Sequence, residues 1–560
     1  MSALPPIIEG RRRWQLAALV AFALGQAAAA GLVAFATRDV FASFREGGDI
    51  PLVSLAAIVV AAVSIAALRY SERVVAERLG QDYAAALRLK IFLHLSRVSV
   101  RKLGERRVGQ LSMRFVGDLS AVRGWISLGL ARLVSAAIVL PATVLVLFLL
   151  NADLAIAAAI PLVVGIGVMA MVGPRLSDTH RQLRTRRAKL AADMTERVVH
   201  APELRLLGRM QIERRHLTSR TRSMMHSAIE RARGIALLRV VPDVLTGVAA
   251  ASVFFAAFVN GVSGAEAAGA LAAVALAVQQ LRDIAGVWDR NRAWVVARDK
   301  CLNLLMTPTL PQPLLNADDA VADRPPVLRF MGVDAPGLQT IDAEASAGRK
   351  IAVVGANGAG KSTLLALAAG LEHPTNGRVT LDGRDIFSLR ARERRRLIAY
   401  LSGRSPILAG SLRRALTMGA PERPSDATIE ACAEAFGLGP VLDRVGGLDG
   451  VVAEAGRNLS SGEARRLLLA RVALSHPRLI LLDEPDDALD PAARSLVEDV
   501  VLGTDATALI ITHDLSLARK LDEVWLLHAG TLIVKGTPDE VLSGDGPVAR
   551  HFSEKPIREP

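Results

Sequence analysis

The sequence predicts a chain in two parts: a membrane α-helical domain of six spans, followed by an α/β domain built around a phosphate-binding loop. Three observations carry this. Long uncharged apolar runs recur between residues 14 and 281. The stretch GANGAGKST (residues 355–363) lies between an apolar strand-like run, IAVVG, and a helix-like one, LLALAAG. A mean hydropathy of +0.32 coexists with a net charge of +13, so apolar and basic residues must be segregated along the chain.

The spans come first. Uncharged runs occupy residues 14–37, 51–68, 133–152, 154–174 and 244–265, with lengths of 24, 18, 20, 21 and 22 residues. Each approaches or exceeds the roughly 20 residues a helix needs to cross a bilayer. A sixth run, 267–281, has 15 residues before Arg282, and Ile284, Val287 and Trp288 continue it as an amphipathic helix. So many runs disfavour buried helices of a soluble core. The first is read as a span and not a cleaved signal, since its 24 uncharged residues exceed the roughly 7–15 of a signal core.

Charge in the connections sets the orientation. Residues 69–132 hold 13 Lys/Arg against 5 Asp/Glu, and residues 175–243 hold 16 against 7, whereas the turns at Asp153 and Glu266 hold no basic residue. The two basic connections are therefore expected in the cytoplasm. Beginning from Arg11, Arg12 and Arg13 inside, six spans return the chain to the cytoplasm, so both termini and the α/β domain are expected there, in a cytoplasmic (inner) membrane. The basic excess flanks spans and lacks aromatic interleaving, with aromatics at 4% of the chain. This argues for anionic lipid as a partner and against nucleic acid. Cys301 and Cys432 lie far apart and predict inert free thiols.

The proposed boundaries are residues 1–306 for the six-helix domain, 307–326 for a Pro-rich linker, and 327–560 for the nucleotide-binding domain. In GANGAGKST, Gly355, Gly360, Lys361 and Ser362 occupy the fixed positions of a phosphate loop. Its backbone, including Asn357, Gly358, Ala359 and Thr363, is expected to cradle ATP phosphates, with Lys361 reaching the β/γ-phosphates and Ser362 holding Mg²⁺. LILLDEP (residues 479–485) reads as a buried strand delivering two carboxylates: Asp483 for Mg²⁺ and Glu484 to polarise the attacking water. LSSGE (459–463) precedes a helical stretch, DALD (487–490) follows the carboxylates, and LIITHD (509–514) sets His513 beyond another strand, where it suits the γ-phosphate or the water.

GANGAGKST, LSSGE, LILLDEP, DALD and His513, in that order behind six spans, resemble the ATP-binding-cassette (ABC) transporters, specifically an exporter-type half-transporter with a P-loop NTPase domain. The resemblance implies a dimer, a homodimer or a heterodimer with a second half-transporter. Each of its two ATP sites would pair Lys361 of one copy with Ser460 and Gly462 of the other. It also implies coupling helices near residues 116–122 and 204–211, and an acidic Glu454 in the loop that senses them.

The sequence departs from that family in four places. Gly403 stands where a glutamine contacts Mg²⁺ and water, and no later residue is a glutamine, the last being Gln339. Glu463 and Ser461 replace the signature's usual glutamine and second glycine. No aromatic occupies the adenine-stacking position, although Phe330 has suitable spacing. An ATPase-driven exporter is the leading expectation; a catalytically weakened half of a heterodimer, an importer of the same fold, and a nucleotide-gated protein that transports nothing are the alternatives. The uncharged runs contain no ionisable residue, so hydrophobic or amphipathic cargo, such as a lipid, peptide or drug-like compound, is expected over protons or metal.

Overall fold

Span-length apolar runs become span-length helices. The computed structural model describes residues 4–46, 50–105, 114–175, 177–312, 324–403, 405–490 and 493–543. The backbone divides into two units: Met1–Ser96 with Arg106–Thr307, and Arg97–Glu105 with Pro308–Pro560. Of the expected linker, residues 313–323 lie outside the described residues, as do 544–560 of the expected nucleotide-binding domain.

Among the described residues of the first unit, six helices are long and apolar enough to cross a membrane: α1 (Arg11–Glu46), α2 (Leu52–Leu95), α4 (Leu119–Leu150), α5 (Ala152–Gly173), α8 (Met210–Val259) and α9 (Gly264–Leu305). Between them lie α3 (Val100–Gly104), α6 (Ser177–Val199) and α7 (Ala201–Leu206). The turn before α9 is set by a capping box: Ser263 Oγ accepts the Glu266 N–H at 3.2 Å, and the Glu266 carboxylate accepts the Ser263 N–H at 3.2 Å. Alanines build the helix contacts; Ala34, Ala270, Ala273 and Ala277 are fully buried in one apolar cluster. Gly269 lets α9 approach α1 so closely that a Cβ there would meet the Ala34 carbonyl.

The coupling-helix positions need one correction. Residues 114–125 form π- and α-helical turns that run into the third span, so 116–122 is not a separate helix. Among the described residues, the short helix of the first connection is α3, which belongs to the second unit: the Val100 N–H donates to the Leu371 carbonyl at 3.1 Å and the Arg101 N–H to the Glu372 carboxylate at 3.4 Å. The second expected segment overlaps the end of α7.

The second unit has two main sheets. A four-stranded antiparallel sheet orders as β2 (Leu338–Ala345), β1 (Leu328–Ala335), β4 (Asn376–Leu381) and β5 (Arg384–Asp385). A six-stranded sheet orders as β12 (Thr531–Gly536), β11 (Glu523–His528), β3 (Lys350–Gly355), β10 (Thr507–Ile511), β9 (Leu479–Asp483) and β6 (Ile398–Leu401), parallel except for β12. β3, β9 and β10 are near-continuous apolar runs because both faces of the sheet are covered. A short third sheet joins β7 (Gly410–Ser411) to β8 (Val451–Val452). The helices that serve the site are α10 (Lys361–Ala368), α11 (Gly439–Val445) and α12 (Ser461–Leu474).

Candidate nucleotide-binding site

Parallel pairing brings the C-terminal ends of β3, β10 and β9 side by side: Val353 faces Ile511, and Ile511 faces Asp483. Ligand sites of open parallel sheets form at such ends. The phosphate loop leaves β3 at Gly355, whose φ of +151° and closeness to the Leu527 carbonyl leave no room for a Cβ. Gly360, at φ +97°, starts α10, and a Cβ there would collide with the Gly337 carbonyl. Asn357, Gly358 and Ala359 form the turn, closed by the Ala359 N–H on the Ala356 carbonyl at 3.1 Å. Ser362 and Thr363 lie in the first turn of α10.

Lys361 is buried, and its Nζ donates to the carbonyls of Gly355 at 2.7 Å and Ala356 at 3.1 Å. Burial pushes the pKa of its ammonium down, opposed by the charges of Glu484 and Asp483. An ammonium held only by the loop's own carbonyls suits exchange onto a phosphate. The Ser362 hydroxyl hydrogen-bonds Asp483, whose carboxyl pKa is raised chiefly by burial. A glycine cradle, a buried ammonium and a facing hydroxyl–carboxylate pair fit a nucleotide phosphate and a divalent cation.

Glu484 follows β9 in a left-handed conformation, φ +49°, which a non-glycine residue adopts only when its surroundings hold it. Its N–H donates to the Ile511 carbonyl at 2.9 Å. Its carbonyl accepts from the guanidinium of Arg465, which also donates to the Asp487 carbonyl at 3.2 Å. Its carboxylate lies 3.2 Å from His513 Nε2. Thus Lys361, Ser362, Asp483, Glu484 and His513 converge.

Ser460 and Gly462 are not brought to that loop. Ser460 caps α12, accepting the Glu463 N–H at 3.1 Å, while the Glu463 carboxylate accepts the Ser460 N–H at 2.8 Å. Either glutamate or glutamine serves at this capping position, so the replacement of the signature glutamine is mild. Glutamate adds a two-pronged pair with Arg444 of α11 at 2.7 and 2.9 Å, which lowers its pKa to about 2. Among the described residues no hydrogen bond joins Ser460 to the phosphate loop.

Two further departures have structural outcomes. Gly403 sits in the turn after β6, and a Cβ there would meet nothing within 4 Å. Phe330 points into the core, 2% exposed, edge-on to Trp525 at 6.3 Å, and so does not stack on a base. Sequence reasoning missed Arg465 and Arg444. Arg465, inside the LSSGE helix, holds two main-chain carbonyls, and Arg444 of α11 holds a capping glutamate; neither pairing is marked by spacing in the sequence. Both cysteines are free, and burial pushes the Cys432 thiol up to about 11.

A span-length helical unit joined to a phosphate loop with two strand-end carboxylates defines an integral membrane protein with its own nucleotide-binding domain. The chain belongs to the ABC transporter family: the family model for the ABC transporter transmembrane region matches residues 16–284, and that for the ABC transporter matches residues 338–487. It is 27% identical over 501 residues to a "Multidrug efflux ATP-binding/permease protein" of Mycobacterium bovis, covering 86% of this chain but 41% of that protein. It is 24% identical over 491 residues to an "ATP-dependent lipid A-core flippase" of Syntrophus aciditrophicus, covering 85% of this chain and 81% of that one. The fold matches a solved bacterial Atm1-family ABC exporter with ATP bound, with a TM-score of 0.84, 21% identity and coverage of 98% and 99% of the two chains.

Proposed function

We propose that this chain is one half of an ATP-driven transporter, an exporter, in which ATP hydrolysis re-orients the spans. The observation that carries this is the meeting of Lys361, Ser362, Asp483, Glu484 and His513 at adjacent strand ends, in a chain whose other unit holds six span-length helices. Lys361 exchanges its two carbonyl partners for the β/γ-phosphates. Ser362 and Asp483 would hold Mg²⁺, which when bound neutralises phosphate charge. Glu484 polarises the attacking water, and His513, 3.2 Å away, orients that carboxylate and faces the transferred phosphate. The roles given to Gly355, Asn357, Gly358, Ala359, Gly360 and Thr363 are those of the phosphate cradle.

The partner is a second half-transporter. Among the described residues Ser460 and Gly462 make no bond to their own loop, which supports their facing the nucleotide of another copy, with the N-terminus of α12 toward its γ-phosphate. An inner-membrane location with cytoplasmic nucleotide-binding domain and termini rests on the basic connections. Lipid or drug-like cargo is supported by the names of the two relatives above.

The test is ATP hydrolysis by the purified chain in lipid nanodiscs beside Glu484→Gln. Turnover that vanishes in the variant while ATP stays bound is the expected result; retained turnover would remove Glu484 from its role. A second reading, the weakened half of a heterodimer, is favoured by Gly403, which supplies no amide to the site. ATP binding without turnover in the wild-type chain alone would select it.

A further inference from the structure

The charged residues that follow the apolar runs do not all lie on the surface. In the helical unit, Gln26, in the middle of the first uncharged run, donates to the Glu72 carboxylate of α2 at 2.5 Å. Arg132 of α4 pairs with Asp283 of α9. Both pairs line one cavity of about 240 Å³, with Arg69 and Arg73 of α2, and Ser127 and Gln280. Gln26 and Gln280 are each 4% exposed.

The cavity is polar but not self-satisfied. Its two carboxylates already have partners, whereas neither Arg69 nor Arg73 has a carboxylate within ion-pair distance among the described residues. Ser127, 1% exposed, has a hydroxyl without any hydrogen-bond partner. It sits in a π-helical segment, Ile126–Leu130, an irregularity that recurs at functional sites. Arg69 is half-buried and Arg73 exposed at the cavity rim, so both guanidiniums are open to an anion.

We propose that this cavity binds a small polar ligand with a phosphate or carboxylate group, which Arg69 and Arg73 pair and Ser127 and Gln280 hydrogen-bond. The proposal deepens the transporter reading and rests on it. At about 240 Å³ the space is below the roughly 300–1,000 Å³ of drug-sized sites, so it suits a small soluble anion or a lipid headgroup and not a bulky apolar compound. The cavity refines the expectation of apolar cargo: the ionisable residues lie just past the uncharged runs, and helix packing half-buries Arg69, Glu72, Arg132 and Asp283 while Arg73 stays exposed at the rim.

The experiment uses the full chain in phosphatidylcholine nanodiscs, with sn-glycerol 3-phosphate added in solution, or with phosphatidylglycerol replacing part of the lipid. At least one is expected to raise the melting temperature in a concentration-dependent way. Arg69→Gln combined with Arg73→Gln should abolish that shift, and the Lys/Lys pair should keep it. A shift with the soluble probe alone assigns a free anion, and one with lipid alone assigns a headgroup. No shift with either, or one that the Gln/Gln variant retains, overturns the proposal. The ATP-induced rise in melting temperature is read in parallel: if it persists while the anion response is missing, only the cavity proposal fails, and if it is absent from the wild-type chain the transporter reading fails.

Discussion

Arg465 of α12 holds the main-chain carbonyl of Glu484, so the helix that begins with LSSGE braces the strained residue at the end of β9. A left-handed non-glycine residue costs on the order of 1–3 kcal/mol, and this one is fixed at both ends, by Arg465 at its carbonyl and by Ile511 at its N–H. Arg465 itself is 7% exposed, and burial lowers its pKa against the raising effect of nearby carboxylates.

Arg465→Leu is therefore expected to slow ATP hydrolysis about tenfold, equivalent to about 1.4 kcal/mol on the barrier, with KM for ATP little changed. Arg465→Lys should recover part of the rate. Steady-state kinetics of both variants in nanodiscs checks this; a KM effect without a kcat effect would exclude a positioning role.

Gly403→Gln tests the missing amide. Because a Cβ at Gly403 meets nothing within 4 Å, the substitution should leave the melting temperature unchanged and raise Mg²⁺-dependent hydrolysis. Calorimetry and a phosphate-release assay provide the two readouts.

The Arg444–Glu463 pair predicts a pH effect. Glu463 has its pKa depressed to about 2 from 4.5, so the pair's stabilisation is fully present above about pH 4.5 and is lost as pH falls toward 2. Glu463→Gln keeps the capping geometry but not the pair. Its melting temperature should lie below wild type at neutral pH, and the two should converge on acidification.

Asp483 carries the opposite sign. Burial raises its pKa, so the stability linked to its protonated form is present below the ordinary aspartate range and is lost as pH rises through the raised value. Asp483→Asn should raise the melting temperature of the nucleotide-free protein at neutral pH while abolishing the Mg²⁺ dependence of ATP binding. A thermal-shift series with and without Mg²⁺ decides it.

Phe330→Leu should leave ATP affinity unchanged, because that ring packs on Trp525 inside the core. Fluorescent-nucleotide titration measures it, and a large loss of affinity would return Phe330 to the adenine site.

The sequence by itself determined the six spans, their order and the identity of the phosphate-loop groups. Those features are local: an apolar run of bilayer length has no alternative to a helix in lipid, and GANGAGKST between a strand and a helix already contains the cradle. Tertiary structure decided which distant groups meet. The sequence separates Gln26 from Glu72 and Arg444 from Glu463, and no periodicity links either pair. Arg465 finds Glu484 through a main-chain carbonyl, a group every residue carries and no motif can mark. Phe330 had the spacing of an adenine platform, but the alternation of β1 turned it into the core. Side-chain direction and helix packing, which spacing alone does not specify, settled these positions.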